Sequence, residues 1–256
     1  MAQQSPNKKI NYEGVYQPFY GYTVVAMVES NLNHIEAFIK ASSLGKYFKA
    51  LPHDTYHMTI FNIYVMGDQP YIPPIKKWME ENHISSISPI DWLPPTAMDK
   101  ENLDTTRYLD SINKDLKVTK AKLYGSKKSL TIQIEMDDES WDHIRAIREH
   151  IGAIYGCKDP GLNSRGAYHI TLAYGFTKHI VDPNVSRDFQ KLCDMVKISF
   201  TNISLQQPNL YLFSAMDTYL PYKSYCISDY PSTLEPYNED DSMLGPFYGY
   251  DKVTKS

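Results

Sequence analysis

Residues 52–60 read PHDTYHMTI, and the pattern His-x-Thr occurs twice within them, at His53/Thr55 and at His57/Thr59. Side chains two apart on a β-strand share one face, so a strand through this stretch places imidazoles and hydroxyls side by side. Bare His-x-Thr is a weak signal. With 8 histidines in 256 residues, random placement gives roughly 0.4 occurrences, and requiring a tyrosine just before the histidine lowers this to roughly 0.04. The chain meets the stricter pattern twice, as Tyr56-His57-Met58-Thr59-Ile60 and as Tyr168-His169-Ile170-Thr171-Leu172. Both copies carry an apolar residue after the histidine and another after the threonine, which His53-Asp54-Thr55 lacks. The comparison selects His57 and Thr59. His53 is expected in the loop entering the strand, or at the rim of the same face.

Two such strands brought together give one cleft with two imidazoles and two hydroxyls, while Met58 and Ile170 point into the core. Near neutral pH one imidazole can take a proton while the other, charged, gives one. The hydroxyls can donate to anionic oxygens held between them. That set suits a phosphodiester, whose cleavage needs an activated nucleophile, a protonated leaving oxygen and donors for the phosphoryl oxygens. It calls for no metal and no cofactor.

Outward from the motifs, residues 20–28 read as a strand, 32–51 as a helix, 56–66 as a strand and 75–82 as a short helix. Residues 103–116 have a helical pattern, and 120–137 a hairpin around Gly125-Ser126. Asp137 or Asp138 caps a helix over 139–156, a strand follows at 167–176, a helix at 185–198, and two strands around Pro208. Each motif strand follows a helix and a short loop, the mark of two similar lobes. The fold class is α/β (α+β), two-lobed and pseudo-symmetric, with mostly antiparallel sheets around a central cleft. Residues 1–15 are expected to be a flexible arm, 16–228 a single two-lobed domain, and 229–256 an acidic, Tyr-rich tail. PFYGY occurs at 18–22 and again at 246–250, a repeat with no physical account from sequence.

The net charge of −4 resides in the tail, so the body is neutral. A neutral body argues against coating long nucleic acid, though not against binding a nucleotide or a short RNA. Cys157, Cys193 and Cys226 have no metal-ligand spacing and read as reduced thiols in a cytoplasmic setting. No apolar run approaches membrane-spanning length, so no membrane is expected. Oligomeric state is not legible.

At His57-Met58-Thr59-Ile60 and His169-Ile170-Thr171-Leu172 the chain resembles the 2H phosphoesterase superfamily, named for two H-h-[Thr/Ser]-h motifs on facing lobes, over residues 18–217. The resemblance implies a metal-independent phosphodiesterase acting on a nucleotide or RNA end: a 2′,3′-cyclic phosphate, a 2′–5′ linkage or a cyclic nucleotide second messenger. It makes His57 and His169 the acid–base pair and Thr59 and Thr171 the holders of phosphoryl oxygens. We take His169 as base and His57 as acid, an assignment the sequence does not decide, and a pH profile with limbs near ordinary imidazole values.

Further substrate-binding candidates are Tyr20 and Tyr22, able to stack on a base although core packing competes, and Lys127 and Arg165, loop cations able to attract phosphate. Tyr56 and Tyr168 point away from the histidine face and are read as packing. Tyr174 would do likewise unless a bulge intervenes. Two other readings stand beside the enzyme: a binding module of the same fold that holds a phosphorylated nucleotide or RNA end without cleaving it, and an aromatic-rich interaction protein working through its PFYGY tail.

Overall fold

A computed structural model of the chain describes residues 8–66, 72–85, 93, 95–112, 114–157, 168–177 and 181–222. In chain order the elements are β1 (Gly21–Met27), α1 (Asn33–Ala41), β2 (Phe48–Ala50), β3 (His57–Val65), α2 (Pro73–Glu81), α3 (Asp99–Ser111), β4 (Leu116–Gly125), β5 (Ser129–Met136), α4 (Asp138–Ile154), β6 (His169–Gly175), α5 (Val185–Phe200), β7 (Ser204–Leu205), β8 (Asn209–Ala215) and β9 (Thr218–Pro221). The described strands form one sheet in the order β7-β4-β5-β6-β3-β1-β8-β9, with β2 added on β6. Every pairing among them is antiparallel. The antiparallel α+β architecture is as expected, but the two lobes are halves of a single sheet rather than two sheets.

The halves correspond strand for strand. β3-β1-β8-β9 runs outward from the junction on one side and β6-β5-β4-β7 on the other. In each half a strand, a helix and the motif strand come in the same order, β1, α1, β3 and β5, α4, β6, with β2 inserted before β3 in the first. The junction is the pairing of Met58 with Ile170, the same position in each motif. Beyond it β6 pairs with β2 instead, Ala50 opposite Ala173 and Phe48 opposite Gly175, so β3 and β6 part and leave a cleft between them.

Core formation follows the apolar pattern. β1 is buried along its whole length, as a central strand covered on both faces must be. α4 turns Trp141, Ile144, Ile147 and Ile151 inward, and Asp137 caps it by accepting the Ser140 N–H at 2.8 Å. α5 buries Leu192, Val196 and Phe200 at four-residue spacing. The helix expected over 32–51 stops at Ala41. Ser42 is extended (φ −87°, ψ 178°), a short 3-10 turn at Ser43–Lys46 follows, and Phe48–Ala50 becomes strand. Asp188 in the first turn of α5 accepts from the Ser43 N–H at 3.1 Å and the Ser43 hydroxyl at 2.8 Å, which fixes that break against α5. The helix expected over 103–116 runs earlier, from Asp99, and the chain has turned to strand by Leu116.

Residues 8–15, expected to be a loose arm, fold back as a tight turn because Ile10 is completely buried and bridges Tyr16. Asn11 accepts the N–H groups of Glu13 and Val15 at 3.0 and 2.9 Å, closing the turn through its own side chain. The acidic tail, the second PFYGY, Arg165 and Cys226 lie outside the described residues. No described helix is long and apolar enough to cross a membrane. Cys157 and Cys193 are unbridged.

Candidate active site

The cleft at the junction of the half-sheets has a volume of about 310 Å³ and is lined by His57, Thr59, His169 and Thr171 together. Alternation along the strands produces this. Met58 and Ile170 are fully buried on the core side, and the residues flanking them face the cleft. Continuing the Met58–Ile170 register by one residue each way puts His57 opposite Thr171 and Thr59 opposite His169. Each histidine thus has the other motif's threonine across from it. The preceding tyrosines are core anchors, as expected from their parity: Tyr56 is fully buried, and Tyr168 packs edge-on against Trp141 at 5.5 Å and accepts a hydrogen bond from Arg148.

His57 has a defined protonation pattern. Its Nδ1 lies 2.7 Å from the Thr55 carbonyl oxygen. A carbonyl only accepts, so Nδ1 carries the hydrogen and Nε2, on the far side of the ring, is left as the acceptor. Burial, above all, pushes the pKa of His57 down to about 4; the Thr55 carbonyl works against this, while His169 and Lys9 add to the lowering. His57 is therefore neutral at pH 7. In the unfolded chain it titrates at its ordinary value, so this group's contribution to stability is lost as pH falls from about 6.5 towards 4.

Both motif strands carry a bulge at the same place. On β3, Thr59 pairs with Val25 but Phe61 with Val24, leaving Ile60 extra. On β6, Thr171 pairs with Thr131 but Ala173 with Leu130, leaving Leu172 extra. The extra residue reverses the alternation, so Asn62 and Tyr174, each three residues past its threonine, return to the cleft face. Thr23 on β1 donates to the Asn62 side-chain oxygen at 3.2 Å. An aromatic wall completes the cavity. Phe19 stacks on Phe213 at 5.9 Å, Phe213 meets Tyr219 at 5.5 Å, and Tyr219 lies 4.6 Å from the His57 ring. Burial raises the pKa of Tyr219 far above its ordinary value, so its hydroxyl stays protonated.

Of the remaining candidates, Tyr20 and Tyr22 are buried in the core at 1% and 0% exposure, and the Tyr22 hydroxyl donates to the Leu93 carbonyl; neither can stack on a ligand. On the N-terminal side of β1 the odd positions face the cleft, so Phe19 and Thr23 line it instead. Lys127 is exposed on the β4–β5 turn and is not among the residues lining the cavity. His53 sits in a 3-10 turn ahead of β3, its Nδ1 2.9 Å from Glu36, and belongs to a neighbouring open groove of about 620 Å³ that also carries Glu29, Asp54 and Asp217. Sequence reading missed Lys9, Asn62 and Tyr219. The repeated spacing His-x-Thr-x-x in front of Asn62 and of Tyr174 was the available signal for Asn62.

No protein-family model matches the chain. Protein 127L of Invertebrate iridescent virus 6, an uncharacterized protein, is 36% identical over 226 residues, covering 83% of this chain and 93% of its own. This chain belongs to the 127L family. Its fold is shared with ATU0111 of Agrobacterium tumefaciens, a protein of unknown function, at a TM-score of 0.54 and 17% identity over 86% of this chain and 92% of that one. A solved phosphoesterase aligns over 80% of this member of the 127L family and 94% of its own length, at 11% identity and a TM-score of 0.44, too low to carry weight. The paired motif strands, equivalent halves and shared cleft are the two-lobed arrangement expected from the repeated motif.

Proposed function

We propose that this chain is a two-histidine phosphodiesterase that hydrolyses a nucleotide or RNA-end diester, using His57 as base and His169 as acid. The observation that carries the proposal is the convergence of both H-h-T-h motifs on one cleft, with the acceptor nitrogen of His57 fixed there by the Thr55 carbonyl. His57 Nε2 takes a proton from water as the water oxygen bonds to phosphorus. The opposite P–O bond breaks, and the leaving oxygen takes its proton from His169. Thr59 and Thr171 donate to the non-bridging oxygens, where charge is held through the transition state. This reverses the assignment taken from sequence: an imidazole that is neutral at pH 7 is a poor acid and an available acceptor.

The cavity of about 310 Å³ is at the low end of small-ligand sites, which run to about 1,000 Å³. It supports a single nucleotide unit at the reaction centre, with Phe19 and Tyr219 offering faces for a base. A panel of 2′,3′-cyclic mononucleotides, cyclic dinucleotides, 2′–5′ oligoadenylates and short RNAs with cyclic phosphate ends, assayed with chelator present, tests the substrate class. Turnover of one of them is expected. A chain that saturates with nucleotide and releases it unchanged is instead a binding module.

The pH dependence gives a separate check. His57 must be unprotonated to act, so kcat/KM, which reports the free enzyme, falls on the acid side as pH drops through about 4 rather than through 6.5. The acid limb of kcat lies higher, because a bound anion favours the charged imidazole. An acid limb of kcat/KM near 6.5 would give the base role to an imidazole with ordinary basicity.

A further inference from the structure

The N-terminal turn places an ammonium group inside the cleft. Lys9 lines the cavity with the two histidines, its Nζ 5.0 Å from the Phe19 ring centroid and 5.1 Å from that of Tyr174, and it donates to the Tyr174 hydroxyl at 3.3 Å. The turn that delivers it is firmly built. The Gln17 N–H donates to the Lys9 carbonyl at 3.1 Å, and Ile10, the next residue, is fully buried. Gly14, at φ +77°, lies over the Phe176 ring at the tip, and the Tyr16 hydroxyl donates to the Lys49 carbonyl on β2 at 3.1 Å. A lysine side chain gives up about 2 kcal/mol of rotamer freedom when ordered, and two aromatic faces with one hydroxyl offset that here.

The charge of the cavity makes Lys9 matter. Among the described residues lining it there is no carboxylate, Lys9 is the one lysine or arginine, and His57 is neutral at pH 7. The carboxylates nearby, Glu29, Asp54 and Asp217, line the neighbouring groove beyond Tyr219. We infer that Lys9 is the anion-holding residue of the site: its ammonium binds a non-bridging phosphoryl oxygen of the substrate between the two His-Thr pairs, and the N-terminal turn is part of the substrate site. This rests on the cleft being a phosphodiester site. An ammonium suits this as a point charge with three donors.

The test separates binding from turnover. Inorganic phosphate is titrated by calorimetry into the full-length wild type and into the Lys9→Met, Lys9→Gln and Lys9→Arg variants, and their turnover of the diester cleaved by the wild type is followed in parallel. Lys9→Met and Lys9→Gln weaken phosphate binding about ten- to a hundredfold, the worth of a charge-assisted hydrogen bond, and raise KM more than they lower kcat. Lys9→Arg keeps most of the affinity. Melting temperatures identify a variant that has lost its turn, and two neutral replacements of different polarity keep the comparison open. The titratable and charged groups facing His57 are His169 on β6, Lys9 on the turn and Tyr219 on β9. With the Lys9 charge gone, the acid limb of kcat/KM moves upward. Phosphate affinity within about twofold of wild type in both folded neutral variants, or no phosphate binding by the wild type, overturns the inference. Phosphate bound through Lys9 without turnover of any diester would overturn the catalytic proposal alone.

Discussion

Replacing His57 with alanine is expected to lower kcat/KM by about 10²–10⁴-fold, the usual worth of a positioned general base, while the protein melts at the wild-type temperature. His169→Ala is expected to do the same through loss of the proton donor. The fold survives because neither imidazole holds the sheet together. His57 is half-buried at the cleft wall and His169 is exposed, whereas the junction is carried by fully buried Met58 and Ile170. The two losses do not add. Once either member of an acid–base pair is missing, the other has no productive step to assist, so the double variant retains about the activity of the worse single one. His57→Ala also removes the limb near pH 4 from whatever activity is left. Initial rates for the four proteins across pH 3–9, with melting curves, check these points together.

Gly175→Ala is expected to be strongly damaging to the sheet. A Cβ at this position would lie 2.1 Å from the Lys127 carbonyl oxygen and 3.0 Å from its carbon. These are backbone atoms of the β4–β5 turn and cannot swing aside like a side-chain end. Separation is also resisted, because the Gly175 N–H donates to the Lys128 carbonyl at 2.8 Å. Relief therefore means breaking that bond and displacing the turn. Overpacking costs about 1–3 kcal/mol and the lost hydrogen bond about 1 kcal/mol. A loss of about 3 kcal/mol is a large part of the 5–15 kcal/mol typical of whole domains. Activity falls with it, since Gly175 ends the strand that carries His169, Thr171 and Tyr174. A chemical-denaturation midpoint unchanged from wild type would show that the turn accommodates a methyl group freely.

The meeting of the two motifs in one cleft was legible in the sequence because it obeys the simplest strand rule. His and Thr two apart face one way, Met58 or Ile170 between them faces the other, and Tyr56 and Tyr168 follow the same parity into the core. Where alternation breaks, sequence reading weakens: it held a bulge before Tyr174 as a condition and missed Asn62. The bulges at Ile60 and Leu172 turn Asn62 and Tyr174 back into the cleft, and a bulge is a property of strand pairing, which one strand's sequence does not declare. Tyr20 and Tyr22 were ambiguous for a related reason. Strand composition says that they share a face, and only pairing with β3 and β8 says which face that is. Lys9 was hidden by its polar neighbours, and the burial of Ile10 that anchors it is a tertiary fact. Tyr219 comes from a four-residue strand at the sheet edge, too short to show a pattern. One sheet rather than two was illegible because the halves join at a single residue pair, Met58 and Ile170.

The most direct test of the account is a side-by-side time course of a diester panel led by 2′,3′-cyclic mononucleotides, with wild type, His57→Ala and His169→Ala, in the presence of chelator. The account predicts that at least one diester is hydrolysed by the wild type at the same rate with and without chelator, and by neither variant above about 1% of that rate. Hydrolysis that persists in both variants, or a wild type that turns over no diester, would contradict it.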